Sequence, residues 1–140
     1  YSEASFELGS GYQAMERLLN LDSPPTAVFV FNDPLAIEAV RAIHDHGLRV
    51  PQDVAVVGFD DVHSAVVVTP SLTTVHQPLF EIGVQAMDWL MPLLRQEEME
   101  PARVVLPVKL IIRNSTVPYK GGVSQLATKE VMRGTERCIS

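Results

Sequence analysis

The 140-residue chain has one cysteine, Cys138, and no apolar run that approaches the ~20 residues a membrane-spanning helix requires. A single cysteine excludes an internal disulfide framework and predicts a reducing compartment, the cytoplasm. Lysine and arginine are scarce, at 11 against 17 acidic residues, and they form no cluster. We therefore expect neither a membrane nor nucleic acid as a direct partner of these residues. The chain begins with Tyr1 rather than methionine, so we expect further sequence before it.

Signatures of nucleotide binding and of common catalytic centres are also missing. The eight glycines form neither a phosphate-binding loop nor a dinucleotide-binding fingerprint. Gly9-Ser10-Gly11 lacks the spacing of a nucleophile elbow, and no histidine is near Cys138 in the sequence. His44 and His46 are two residues apart and would project from different sides of a helix, which argues against a zinc pair. We predict no enzyme, no metal site and no cofactor.

Hydrophobic periodicity predicts alternating helices and strands. A helix begins at Ser10, which forms the pattern of a capping box with Gln13. Residues 26–31, TAVFVF, are continuously apolar and predict a strand buried on both faces of a sheet. Residues 54–58, VAVVG, predict a second such strand. With 46% hydrophobic and 20% charged residues, the composition is that of a globular domain with a core.

The segment between the two strands predicts a helix, with Asp33 as its N-cap and Pro34 at the first helical position. Strand, helix and strand in this order predict a βαβ unit with parallel strands and helices on both faces of the sheet. Ligands bind such sheets beyond the carboxyl ends of the strands. Asn32 follows the first strand, Asp60 follows the second, and Phe6 precedes a helix of the same pattern. We expect all three residues on one rim of the sheet.

The C-terminal half has a weaker pattern. Residues 72–76 predict a short extended segment, and Pro78 starts a helix that Pro92 should kink or end. Residues 103–106 and 108–113 predict two extended pieces joined at Pro107. The residues expected to face inward from the helix are Leu79, Ile82, Ala86, Trp89, Leu90 and Leu93.

The adjacent carboxylates Asp60 and Asp61 allow several interpretations. Neighbouring residues at a strand end usually diverge, which argues against acid–base catalysis by the pair, and no EF-hand pattern surrounds them. Both could be turn formers. Alternatively, a carboxylate could accept hydrogen bonds from the hydroxyls of a sugar or nucleoside, with Asn32 as a second polar contact and Phe6 stacked on the apolar ring face. The competing interpretation for Phe6 is packing in the core.

Four motifs then occur in a fixed order: FNDP, GLRVPQDV, VVGFDD and TPSLTTVHQP. In order and spacing they resemble the effector-binding region of the LacI/GalR family of bacterial transcription regulators. FELGSGYQAMERLL and RVVLPVKLIIRNST extend the resemblance on both sides, so that it covers residues 5–116. Together these motifs are far more specific than any one of them.

The resemblance implies an α/β fold like that of type I periplasmic sugar-binding proteins, with a parallel sheet flanked by helices and an effector cleft between two lobes. We expect residues 1–76 in the C-terminal lobe and 77–106 as a helix and strand passing into the other lobe. Residues 107–116 would be a strand returning to the C-terminal lobe, and 117–140 form a tail of unknown role. The chain would be the C-terminal part of a family member.

Family effector contacts, carried over position by position, fall on Phe6, Asn32, Asp60 and Gln77. Ile37 and Val68 match the dimer interface of the family, whereas Asp61 matches no effector contact, which implies a role in the turn. The implied function is to bind a sugar-like molecule and so bias a homodimer or higher oligomer toward or away from operator DNA. DNA would be bound only through an upstream N-terminal domain. The alternative is a solute-binding protein for sugar transport, with the same fold and no DNA partner.

Overall fold

The computed structural model describes residues 1–97 and 103–116. In sequence order the elements are α1 (Ser10–Leu19), β1 (Ala27–Phe29), α2 (Asp33–Asp45), β2 (Ala55–Asp60), α3 (Ser64–Val67), β3 (Thr73–His76), α4 (Leu79–Leu94) and β4 (Lys109–Ile111). The tail from 117 to 140, including Cys138, lies outside the described residues.

The strands form one sheet in the order β1-β2-β3-β4. β1 pairs with β2 in parallel, with Val28 opposite Val56, and β2 pairs with β3 in parallel, with Gly58 opposite Thr74. This arrangement confirms the predicted α/β fold. β4 is antiparallel to β3, however, so the expected parallel sheet is in fact mixed. The amino-acid pattern of a short strand indicates that the segment joins a sheet. It does not indicate whether the strand runs parallel or antiparallel to its neighbour, which depends on where the chain re-enters the sheet.

The core lies where α1 packs against α2 and α2 packs against β2. Its fully buried members include Ala36, Ile43, Val56 and Leu72. Burying a side chain of the size of Ile43 contributes about 1.5–3 kcal/mol. The helices approach closely at Gly11, where a Cβ atom would lie 2.6 Å from the carbonyl oxygen of Leu35. A larger residue at position 11 would therefore push α1 away from α2.

The predicted capping box at Ser10 does not form. Gly9 is the N-cap of α1, with φ at 88°, and the Ser10 hydroxyl donates to the Ser5 carbonyl oxygen at 2.5 Å. The Glu38 carboxylate, from α2, instead accepts hydrogen bonds from the backbone N–H groups of Gly9 and Gly11, each at 2.8 Å. A carboxylate suits the positive end of a helix, so a tertiary contact takes over the role predicted for a local one.

The cap of α2 also differs from the prediction. Asn32, not Asp33, is the N-cap, and its side-chain oxygen accepts from the Leu35 N–H at 3.0 Å. Asp33 is the first helical residue and Pro34 the second. Asn and Asp cap helices about equally well, so the sequence did not discriminate between them.

We expected β1 to be buried on both faces and α4 to be buried on one face. Neither element is buried in this way within residues 1–97 and 103–116. Phe29 is exposed in β1, and no residue of α4 is buried. Pro92 lies inside the last turn of α4 without ending it, and residues 103–106 belong to no strand. A periodic pattern marks the side chains suited to burial, but burial itself requires a partner surface. None of the described helices combines the length and apolar composition needed to cross a membrane.

Candidate functional site

The carboxyl ends of the three parallel strands meet at one edge of the sheet. Asp60 is the last residue of β2 and pairs in register with His76, the last residue of β3. Gln77 follows β3 directly, and Asn32 caps the helix that leaves β1. The structure therefore brings Asn32, Asp60 and Gln77, three of the four predicted ligand contacts, to this rim.

Asp60 is held in an unusual backbone conformation. Its φ is 111°, and that of Asp61 is 59°, in the region that residues with a Cβ atom rarely adopt. The Gln77 side-chain amide donates to Asp60 Oδ1 at 2.6 Å. This bond orients the carboxylate and joins two of the predicted site residues across 17 positions of sequence.

Asp61 turns to different partners. Its Oδ1 accepts from Arg113 Nη2 at 2.6 Å, and its Oδ2 lies 3.0 Å from His76 Nδ1. Arg113 also donates to the Leu72 carbonyl oxygen at 2.9 Å, and the side chains of Arg113 and Asp61 are each only 17% exposed. This ion pair ties the end of β2 to the segment after β4. Sequence reasoning missed Arg113 and His76, because no local pattern pairs residues up to 52 positions apart.

Asn32, which was predicted only as a ligand contact, also has a structural function. The residue is buried, and its Oδ1 atom is engaged in capping α2. The Nδ2 group is therefore the end of the amide with which Asn32 could donate to a ligand.

Phe6 is not a core residue. Its side chain is 83% exposed, and its ring packs edge-on against Phe31 with the ring centroids 5.4 Å apart. Phe31 directly precedes Asn32 and is itself exposed, so an aromatic pair borders the polar rim. Sequence reasoning did not select Phe31, although its position at the end of the predicted strand was a usable signal.

Other candidate sites in the described residues have fewer groups that could bind a polar ligand or a metal ion. A cavity of about 400 Å³ lies along β1 and α1, lined by Met15, Phe29 and Leu35 among others, but by none of the four predicted site residues. Its lining is mostly apolar, with only Tyr1 and Ser2 carrying polar side-chain groups, and no charged residue lines it to orient a hydroxylated ligand. Within the described ranges, no group of three or more His, Cys, Asp or Glu side chains is placed to hold a metal ion.

Residues 1–116 match the periplasmic binding protein-like domain. The chain belongs to this family. It is 42% identical over 113 residues to the probable HTH-type transcriptional repressor ExuR of Bacillus subtilis, across 81% of this chain and 34% of the relative. It is also 42% identical over 113 residues to the HTH-type transcriptional repressor PurR of Edwardsiella ictaluri, across 81% of this chain and 33% of the relative. The chain thus spans about a third of the length of these curated relatives.

Solved structures give the same assignment for the domain. The Lac repressor dimer bound to operator and the anti-inducer ONPF superposes with a TM-score of 0.74 at 36% identity, over 83% of this chain and 40% of that one. A LacI family transcriptional regulator from Enterococcus faecium with bound ribose superposes with a TM-score of 0.73 at 33% identity, over 84% and 43%. The resemblance to the effector-binding region of LacI/GalR regulators is confirmed. The relatives named here are repressors and regulators, which favours a regulator over the transport alternative.

Proposed function

We propose that this periplasmic binding protein-like domain is the effector-sensing part of a LacI-type transcription regulator, and that a sugar or related metabolite binds at the rim of the sheet. The observation that carries the proposal is Asp60, whose carboxylate is oriented by Gln77 at the carboxyl end of β2. Support also comes from the relatives, which are named repressors, and from a similar regulator that holds ribose.

The rim has the chemistry to bind such a ligand. A carboxylate accepts hydrogen bonds from hydroxyl groups, and the amides of Asn32 and Gln77 can donate to hydroxyl oxygens. The exposed ring of Phe6 can cover the apolar face of a sugar or a base. Polar groups on one side and an aromatic ring on another would fix the orientation of the ligand as well as its affinity.

Regulation would follow from a shift between two arrangements of a two-lobed, full-length regulator. A ligand that binds one arrangement better raises its population, and operator affinity changes accordingly. We place residues 1–76 in the C-terminal lobe, 77–106 in the crossing to the other lobe, and 107–116 in the return. The pairing of β4 with β3 supports the last of these assignments.

The remaining partners belong to the longer regulator. Operator DNA would be contacted through an upstream N-terminal domain, and two copies would associate through the face that carries Ile37 and Val68. As repressors are the named relatives, we also propose that the protein performs no catalysis and works in the cytoplasm.

Calorimetric titration of the full-length regulator with pentoses, hexoses, disaccharides and nucleosides tests the proposal. Replacing Asp60 by Ala removes a hydrogen bond to a charged group, which contributes roughly 1.5–3 kcal/mol, so affinity should fall about 10- to 150-fold. Asp22→Ala, at an exposed acid away from the rim, is the matched control and should bind as the wild type does. Equal affinities for Asp60→Ala and the wild type would contradict the proposal.

A further inference from the structure

Asp33 is a fully buried carboxylic acid that the proposed ligand contacts do not include. Its Oδ2 atom accepts a hydrogen bond from the backbone N–H of Val62 at 2.9 Å. Its Oδ1 atom accepts from the hydroxyl of Thr74, in β3, at 2.6 Å. Gly58 faces the same carboxylate from β2 and leaves no room for a side chain there. Each side-chain oxygen of Asp33 thus has a donor, one from β3 and one from the loop after β2, and Gly58 packs closely against the carboxylate.

Val62 follows two consecutive residues with positive φ, Asp60 and Asp61. Aspartate adopts the left-handed region more readily than most residues with a Cβ atom, but the φ of Asp60, 111°, lies beyond the usual left-handed well and needs surrounding contacts to keep it. The contacts of Gln77 and Arg113 hold the two carboxylate groups, not the backbone. The bond from the Val62 N–H to Asp33 is a direct tie between this turn and the buried core.

We propose that Asp33 is a positioning residue for the effector site: it holds the turn in the conformation that points Asp60 to the ligand. The inference rests on the proposed function of the rim, because positioning matters only if Asp60 binds an effector. Without the bond, the turn relaxes toward ordinary backbone angles, and only a fraction of molecules presents Asp60 correctly. The apparent dissociation constant rises by the inverse of that fraction.

Two substitutions separate this contact from the ligand itself. Asp33→Asn keeps the shape but offers one acceptor to two donors, and we expect it to weaken effector binding about 5- to 20-fold. Thr74→Val removes the hydroxyl that anchors Oδ1, and we expect a loss of about 3- to 10-fold. Thr74→Ser keeps the hydroxyl and should restore binding close to that of the wild type. Because Thr74 does not lie at the rim, its effect must act through Asp33.

A double-mutant cycle in the full-length regulator provides the decisive measurement. The sugar from the panel that the wild type binds most tightly is titrated into Asp33→Asn, Asp60→Ala and the double variant. If Asp33 acts through Asp60, adding Asp33→Asn to Asp60→Ala should weaken binding by no more than about twofold. The inference would be overturned if the losses of binding free energy in the two single variants added fully in the double variant. It would also be overturned if Asp33→Asn bound the sugar as tightly as the wild type while Asp60→Ala bound it weakly.

Amide hydrogen exchange at Val62 in the ligand-free regulator supplies a readout that does not depend on the effector. Exchange should accelerate in Asp33→Asn and Thr74→Val and return to the wild-type rate in Thr74→Ser. Ser115→Ala is the control: Ser115 is buried and bonded to the backbone of Val56 and Thr73, so its loss lowers the melting temperature. It should change neither Val62 exchange nor affinity. Unchanged exchange in Thr74→Val would overturn the inference, while a wild type that binds no panel compound would count against the proposed function instead.

Discussion

At the end of β2, the carboxylates of Asp60 and Asp61 have different partners. The Gln77 amide donates to Asp60 at the rim, whereas the Arg113 guanidinium donates to Asp61 and ties β2 to the segment after β4. The backbone turns here, with φ at 111° for Asp60 and 59° for Asp61, and different donors hold the two side chains. Asp61 therefore serves the fold, and Asp60 is the acid that we propose for the ligand.

Asp61→Ala should reduce stability more than it reduces effector affinity. The substitution leaves Arg113, which is mostly buried, without its carboxylate partner, and we expect the free energy of unfolding to fall by about 1–3 kcal/mol in urea denaturation. Asp45→Ala is the control, since it removes the exposed Arg41–Asp45 pair at 3.7 Å and should change stability by less than about 0.5 kcal/mol. Similar losses of unfolding free energy in the two variants would show that the Asp61–Arg113 pair stabilises the fold no more than an exposed ion pair does.

Among the elements, the connection from α2 to β2 contains one ion pair, between Arg49 and Asp53. Asp53 accepts hydrogen bonds from the backbone N–H of Arg49 at 2.8 Å and from its guanidinium at 2.9 and 3.0 Å. The guanidinium bonds, followed by the backbone bond, lower the pKa of Asp53 from 3.8 to about 2. The pKa of Arg49 is raised in turn by its bond to Asp53. The charged form of the pair therefore favours the folded loop.

This ion pair predicts a pH-dependent contribution to stability. The folded-state pKa of Asp53 is below its unfolded value, so the contribution is fully present above about pH 4 and is lost as the pH falls toward about 2. The melting temperature of Asp53→Asn should therefore be below that of the wild type at pH 6, with a difference that shrinks between pH 4 and pH 2. The effect should be small because the pair is exposed. Circular-dichroism melts measure it, and a difference independent of pH would contradict the assignment.

On the scale of the whole molecule, an apolar surface remains near the contact between α2 and α3. Ile37 and Val68 pack only partly against the core, and Val66 and Val67 on α3 are exposed. A two-fold dimer repeats one self-complementary patch, and a patch of this composition is suited to that use. The geometry is compatible with the proposed dimer face.

Ile37→Glu should therefore shift the full-length regulator from dimer toward monomer in sedimentation velocity. Two carboxylates brought into one apolar interface lose hydration without gaining partners. Leu21→Glu, which places the same charge at an exposed leucine after α1, should leave the sedimentation coefficient unchanged. If Ile37→Glu sediments as the wild type does and remains folded, the dimer interface lies elsewhere.

By itself, the sequence determined the order of the main helices and strands, though not the short α3, and the rim on which the polar residues gather. Period and capping residues are local properties, and parallel strands carry their carboxyl ends to the same edge, so Asn32 and Asp60 could be placed without coordinates. Gln77 was expected there only from the family resemblance. Local patterns did not decide which residue caps α2, because Asn32 and Asp33 are both good N-cap residues.

Only the tertiary structure decided how those residues are used. Asp33 does not cap α2, because its carboxylate is bonded to Thr74 and Val62 instead. The predicted cap of α1 is replaced by Glu38, which binds Gly11 from 27 residues away. The partner of Asp61 and the antiparallel direction of β4 likewise depend on segments that are distant in sequence. A hydrogen bond requires its two atoms to meet within about 3 Å, and for residues tens of positions apart only the folded chain establishes that distance.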